Sequence, residues 1–340
     1  MLKLVDDDKR KVVLQSDLEA EFKSILNFEG IRNIGFPGGN FNLPIFSAGE
    51  GRLWAAFGGV DKSQAINRYW NAFGVLRGDS HAQSIAVEVN IPVGGNSKQV
   101  AGFFAEDLNT GDILLMHSGK VGGGRVGVGK SAFLVWSKAD LVEVAEEGGG
   151  VRLGVVVTKL GAPDIISRTW KFVEAVRSFK DAVIEGKIET AEFKKQVREF
   201  DNYRKEYSGK KRGVRGGAIE YHTYHGQVVQ KLYDEINARV SSGEIVANNQ
   251  LVDLMVKNNG VVTEIYEVKT SVDRQVLYTA IGQILTHSAP GSEEVAKILV
   301  IPAGESVPAD LARAIDILGI KVRRFALKNI ANGDEAVELD

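Results

Sequence analysis

The sequence predicts a two-domain chain of mixed α and β structure. A β-rich N-terminal domain covers residues 1–160, a helical connector with a basic linker covers 161–217, and a C-terminal α/β domain with a mixed central sheet covers 218–340. Three observations carry this reading. The 340 residues are too many for one ordinary core and fit domains of roughly 100–200 residues. Glycines break the first 150 residues into short apolar runs, whereas from Thr169 onward apolar residues recur at helical spacing. The last third alternates helical with strand-like segments.

Taken in order, Ser16 and Glu19 make a capping-box pair, which predicts an opening helix through LEAEFKSIL. A second helix is expected near KSQAINRYWNAF. Strands are expected in SIAVEVNIPV (84–93), VAGFFAE (100–106), DILLMHS (112–118) and SAFLVWS (131–137). Two helices follow, in WKFVEAVRSFKDAVIEG and TAEFKKQVREFDNY, and then the basic, glycine-rich SGKKRGVRGG (208–217). HGQVVQKLYDEINARV reads as a helix. LVDLMVK and VVTEIYEVKT read as strands joined by a tight Asn259-Gly260 turn. RQVLYTAIGQILTHS is a helix, and AKILVIPA, ADLARAIDILG and KVRRFA form a βαβ crossover with parallel strands.

Composition narrows the function. No cysteine is present, which excludes disulfide frameworks, thiolate zinc sites and cysteine nucleophiles. A net charge of −2 gives no global field for nucleic acid, so a DNA-binding surface has to be local. No apolar run is long enough for a membrane span, and MLKLVDDDKRK lacks a signal-peptide core, so a cytoplasmic protein without membrane contact is expected.

GGGRVGVGKS (122–131) contains Gly124, Gly129, Lys130 and Ser131 at the spacing of a nucleotide-binding P-loop. That device needs a buried strand ending at the glycines and a helix starting at the lysine. The preceding apolar run stops at Met116 and His117, and AFLVW suits a strand by propensity, so a nucleotide site is disfavoured. Two readings remain: a plain glycine-rich β-connection, or a loop in which Lys120, Arg125 and Lys130 contact DNA phosphates.

The residues that carry chemistry lie in the C-terminal domain. Strand alternation puts Asp253 on one face of its strand with Met255 and Lys257, while Glu267 and Lys269 share a face of the next strand. Adjacent strands thus present two carboxylates and a lysine to one point. Carboxylates are hard ligands for Mg²⁺, which polarises a phosphodiester and activates water, and the lysine stabilises developing negative charge.

This D…E-x-K arrangement, with Glu267-Val268-Lys269, the hairpin, and AIGQIL in the following helix, resembles the PD-(D/E)XK nuclease superfamily over roughly residues 218–327. The resemblance implies a restriction-endonuclease-like core and a Mg²⁺-dependent DNA endonuclease, with Mn²⁺ as a substitute ion. It implies that Asp253, Glu267 and the carbonyl of Val268 hold the metal, with Lys269 and Gln283 as further catalytic residues. Val252 stands where the family name has proline. The family's first helix often supplies a glutamate, for which Glu220 or Gln227 is the expectation here.

By the same resemblance the partner is double-stranded DNA, cut by a homodimer, and the N-terminal domain reads a sequence or a modified base within a restriction-modification system. Arg125, Lys130, Lys210, Lys211 and Arg212 are the expected DNA contacts. Two alternatives stay open: a repair or structure-specific nuclease on the same fold, and a non-catalytic DNA-binding protein with a degenerate nuclease fold. His222 and His225 are read as DNA-facing or capping residues, and His81, His117 and His287 as surface or satisfied core histidines. Trp54, Trp70, Trp136 and Trp170 are read as core, with Trp54 as a candidate pocket residue.

Overall fold

A computed structural model describes residues 2–36, 39–62, 65–78, 80–122, 126–207, 220–249, 251–289, 295–329 and 335–340. The chain is mixed α/β, and it divides into two compact units, Met1–Val197 and Arg198–Asp340.

The first unit opens with β1 (Leu2–Leu4), α1 (Asp8–Ile25), β2 (Asn27–Phe36), β3 (Gly39–Ser47), β4 (Leu53–Asp61) and β5 (Arg68–Val75). It continues through β6 (Ala82–Glu88), β7 (Ile91–Pro92), β8 (Gly102–Asp107) and β9 (Ile113–His117). After α2 (Lys130–Ser137), β10 (Val142–Ala145), β11 (Val151–Lys159) and α3 (Ile165–Ile184) comes α4 (Ala191–Tyr207), inside which the units divide. β1, β10, β11, β9 and β8 close into a barrel. The other sheet runs β4-β3-β2-β6-β5-β7, and a further β4–β5 pairing brings its strands round into a ring as well. Ring closure leaves few unpaired strand edges, which suits many short strands. Alternate residues of β2 to β5, including Ile34, Ile45, Trp54, Trp70 and Ala72, fill the second ring's core.

Several expectations in this unit are corrected. α1 begins at Asp8, eight residues before Ser16, because Asp7 caps it by accepting the Arg10 N–H at 2.7 Å. Its buried face is Lys11, Leu14, Gln15, Leu18 and Phe22, so two polar residues obscure the apolar period. Lys11 bonds the Gly95 carbonyl at 3.1 Å and Asp8 at 3.0 Å, and Gln15 exchanges side-chain bonds with Asn71. The segment expected as a second helix overlaps β5, whose Trp70 and Ala72 point into the ring while Asn71 meets α1. The expected strand SAFLVWS is instead the helix α2, whose buried Phe133 packs against Phe172 and Phe179 of α3. Tertiary packing overrides strand propensity there. α3, expected as part of a connector, is built into this unit through buried Phe172, Val173, Val176 and Phe179.

The second unit continues with α5 (Glu220–Arg239), β12 (Glu244–Ala247), β13 (Leu254–Asn258), β14 (Val261–Val268) and α6 (Arg274–Ser288). β15 (Ala296–Pro302), α7 (Ala309–Ile317), β16 (Ile320–Asn329) and β17 (Glu335–Leu339) complete it. Its six strands form one mixed sheet in chain order. β14, β15 and β16 are parallel neighbours, and the remaining pairs are antiparallel. The parallel pairs are joined through α6 and α7, as parallel strands require a crossover. α6 and α7 bury Leu277, Ala280, Ile284, Leu311 and Ile315 against Leu299 and Ile301 of β15. Arg239, at the end of α5, bonds Glu264 and Tyr266 on the other face of β14. No helix among the described residues is long and apolar enough to cross a membrane.

The β13–β14 hairpin closes on a two-residue turn, and its pairing shifts once, between Val256 and Lys257. Asn259 and Gly260 both have positive φ, 49° and 88°, as a tight hairpin turn demands. No atom lies within 4 Å of where a Cβ on Gly260 would stand, so a side chain there meets only backbone strain. Gly260→Val is expected to lower stability by about 1–2 kcal/mol in urea unfolding, whereas Asn259→Gly is nearly neutral.

Candidate active site

Asp253 stands immediately before β13 rather than within it. An Asn249 turn delivers it there: Asn249 Oδ1 accepts the N–H groups of Leu251 at 2.8 Å and Val252 at 3.1 Å. The register pairs Leu254 with Tyr266, which sets Asp253 opposite Glu267. Asp253 Oδ2 then accepts the Val268 N–H at 2.8 Å, so the carboxylate continues the ladder where the strand has ended. The expected face shared with Lys257 is broken by an irregularity in the pairing between Val256 and Lys257.

Glu267 is 2 % exposed, near the end of β14, on the sheet face that α6 covers. Lys269 Nζ donates to Glu267 Oε1 at 2.6 Å and to Gln283 Oε1 at 3.0 Å. Its backbone N–H bonds the Val300 carbonyl at 2.9 Å, extending the parallel pairing to this residue. The structure therefore brings together Asp253, Glu267, Lys269 and Gln283, which lie far apart in sequence.

Sequence reasoning took His225 as a DNA-facing or capping residue and missed its pairing with Asp253. His225 sits on α5, and its Nε2 lies 3.3 Å from Asp253 Oδ2. The first-helix expectation had fallen on Glu220 or Gln227. Gln227 is exposed, and Glu220 opens α5 with its side chain outside the described residues. The signal available was spacing: His225, Val228, Val229 and Leu232 follow the inward period of α5, and Gln227 falls off it.

Electrostatics separate the two carboxylates. Burial, then the charge of Asp253, pushes Glu267 up to about 8 against the downward pull of Lys269 and His225. Burial works on Asp253 in the same direction, but His225, the Val268 N–H and Lys269 outweigh it and hold the group below its usual range. For His225, burial opposes the charged form and Asp253 overcomes it, so its pKa is raised. A buried carboxylate and a partly buried one side by side resist joint ionisation. A divalent cation relieves that repulsion, and two hard oxygen donors are the chemistry it requires. Among the described residues no group of three or more His, Asp or Glu side chains is gathered in a metal-holding cluster, so a metal here would rest on two carboxylates with backbone or water.

Comparison of the chain with protein families, curated proteins and solved structures finds no match.

Of the expected DNA contacts, Arg125, Lys210, Lys211 and Arg212 lie outside the described residues, and Lys130 is half-buried as the first residue of α2. Its charge joins burial in holding His117 down to about 3. His117 is a satisfied core histidine, accepting the Gly119 N–H at 3.1 Å and packing on Phe172. A helix does start at the P-loop lysine, contrary to expectation, yet β9 lies between antiparallel neighbours in a barrel and ends at His117, well before the glycines.

Because folding raises the pKa of Glu267 from 4.5 to about 8, its contribution to stability is complete below pH 4.5 and disappears as pH rises through 8. In metal-free buffer the wild type is expected to lose ~2–4 kcal/mol more than Glu267→Gln between pH 5 and 9. Chemical unfolding of both proteins across that range checks it; parallel pH profiles would contradict the assignment.

Proposed function

We propose that the chain is a Mg²⁺-dependent endodeoxyribonuclease of the PD-(D/E)XK kind, restriction-enzyme-like, that hydrolyses phosphodiester bonds in double-stranded DNA. The observation that carries this reading is the convergence of Asp253, Glu267, Lys269 and Gln283 on one end of β13 and β14, with Lys269 held between Glu267 and Gln283. The mixed sheet with helices on both faces supports it as well.

Asp253, Glu267 and the carbonyl of Val268 would hold Mg²⁺, or Mn²⁺ in its place. When bound, the ion polarises the phosphodiester and lowers the pKa of water. The remaining work belongs to the chain. Lys269 has three N–H donors, and the bonds to Glu267 and Gln283 fix the direction of its ammonium. So oriented, it stabilises charge on a phosphate oxygen or directs the attacking water. His225 keeps Asp253 ionised and aimed by sharing Oδ2 with the Val268 N–H. Gln283 acts through the lysine.

The first unit is assigned the reading of a DNA sequence or modified base, with Arg125 and Lys130 as phosphate contacts, and Lys210, Lys211 and Arg212 of the basic linker are assigned further ones. A homodimer would supply two active sites for two strands.

The test is incubation of the full chain with unmodified, methylated and hydroxymethylated duplex DNA in Mg²⁺, followed by sequencing of the ends. Discrete double-strand cuts are expected on at least one substrate. Lys269→Ala should lower kcat by about 10²–10³-fold with DNA binding retained, and His225→Ala by about 10–100-fold. Equal cutting by Lys269→Ala and wild type would overturn the reading.

A further inference from the structure

The two strands of the β13–β14 hairpin differ in length between the turn and the site. Six residues, Asp253 to Asn258, precede the turn, and seven, Val261 to Glu267, follow it. Next to the turn the ladder is regular, with Asn258 opposite Val261 and Lys257 opposite Val262. Continued without a break, that register would set Asp253 opposite Tyr266. Directly opposite residues share a face, and a one-residue slip changes it. Asp253 would then be aimed with Tyr266, whose hydroxyl meets Arg239 of α5, and away from Glu267.

The ladder is broken at one place. Val256 pairs with Glu264, so Thr263, between Val262 and Glu264, has no residue opposite it on β13. Parallel pairing with β15 begins only at Glu264, so Thr263 stands outside that ladder too. It is a β-bulge at the last point before β14 is held between two neighbours. Beyond it the pairing is displaced by one: Leu254 meets Tyr266, and Asp253 comes opposite Glu267. The Thr263 hydroxyl donates to the Val256 carbonyl at 3.3 Å, which ties the bulged residue back to the neighbouring strand. Bulges recur beside active sites, where they re-aim a side chain.

We propose that Thr263 is a positioning residue of the cation site: as a bulge tied by its hydroxyl, it absorbs the surplus residue of β14 and so brings Asp253 opposite Glu267. The inference rests on the reading of these carboxylates as a cation site and adds the device that assembles them. It also defines the competing state. If Thr263 enters the ladder, β13 slips by one residue, the Val268 N–H loses Asp253 Oδ2, and the two carboxylates part.

Calorimetric titration of full-length variants with Mn²⁺ tests this, with thermal melting to show that each is folded. Deletion of Thr263 removes the surplus residue and leaves Asp253 opposite Glu267, whereas deletion of Lys257 shortens the other strand and moves Asp253 off Glu267. The first is expected to keep wild-type affinity for Mn²⁺ and the second to lose about 10–100-fold. A role in stability alone would affect both deletions alike. Thr263→Val, which keeps the surplus residue without its tie, should weaken Mn²⁺ binding about two- to fivefold, and Thr263→Ser should restore it. Equal affinities for the two deletions, or for Thr263→Val and Thr263→Ser where the deletions do not fold, overturn the bulge assignment and leave the cation site standing. A wild type that binds no Mn²⁺ overturns both.

Discussion

A buried carboxylate beside a partly buried one is the constraint around which the second unit is arranged. Asp253 and Glu267 face one another across the hairpin strands, and Glu267 is almost wholly removed from water. Such a pair is unfavourable by itself, and the surrounding chain offsets it piece by piece. The Val268 N–H and His225 stabilise charge on Asp253, and Lys269 stabilises it on Glu267. The offset is incomplete, since Glu267 still titrates near 8. The unit therefore retains a local preference for a further positive charge at that point, which is a property expected of a site and unneeded by a core.

Everything that defines this point is backbone-controlled. The Asn259-Gly260 turn and the one-residue shift between Val256 and Lys257 together fix the register that opposes Asp253 to Glu267, and the Asn249 turn brings Asp253 to the end of its strand. Parallel pairing of β14 with β15 continues as far as the Lys269 N–H, so the lysine emerges from an ordered main chain. α6 then packs Leu277, Ala280 and Ile284 into the sheet and thereby points Gln283 at the lysine. Rigid elements hold each side chain in a narrow range of directions.

Sequence reasoning reached these parts unequally, for physical reasons. α6 was legible end to end because its apolar period is uninterrupted, and the hairpin because Asn-Gly has few other uses between apolar runs. Lys269 followed from the alternation of its strand, and Gln283 from the resemblance of AIGQIL to the nuclease superfamily. The pairing of His225 with Asp253 was not foreseen because the two lie 28 residues apart and only the folded unit brings them together. The position of Asp253 was misread because the Asn249 turn delays the start of the strand to Leu254, three residues later than alternation in LVDLMVK implies. In the first unit, α1 hid behind buried Lys11 and Gln15, whose satisfaction by Gly95, Asp8 and Asn71 is a tertiary fact. α2 is helical although its letters favour a strand, because Phe133 gains a place against α3 that no extended segment would give it.

The central claim is that Asp253 and Glu267 form a cation site whose acid member is still protonated at neutral pH. Calorimetric titration of the full chain with Mn²⁺ at pH 7, repeated in buffers of different ionisation enthalpy, measures the protons released on binding. About one proton per bound ion is expected for the wild type and none for Glu267→Gln. Binding of Mn²⁺ without proton release, or no difference between wild type and Glu267→Gln, would contradict it.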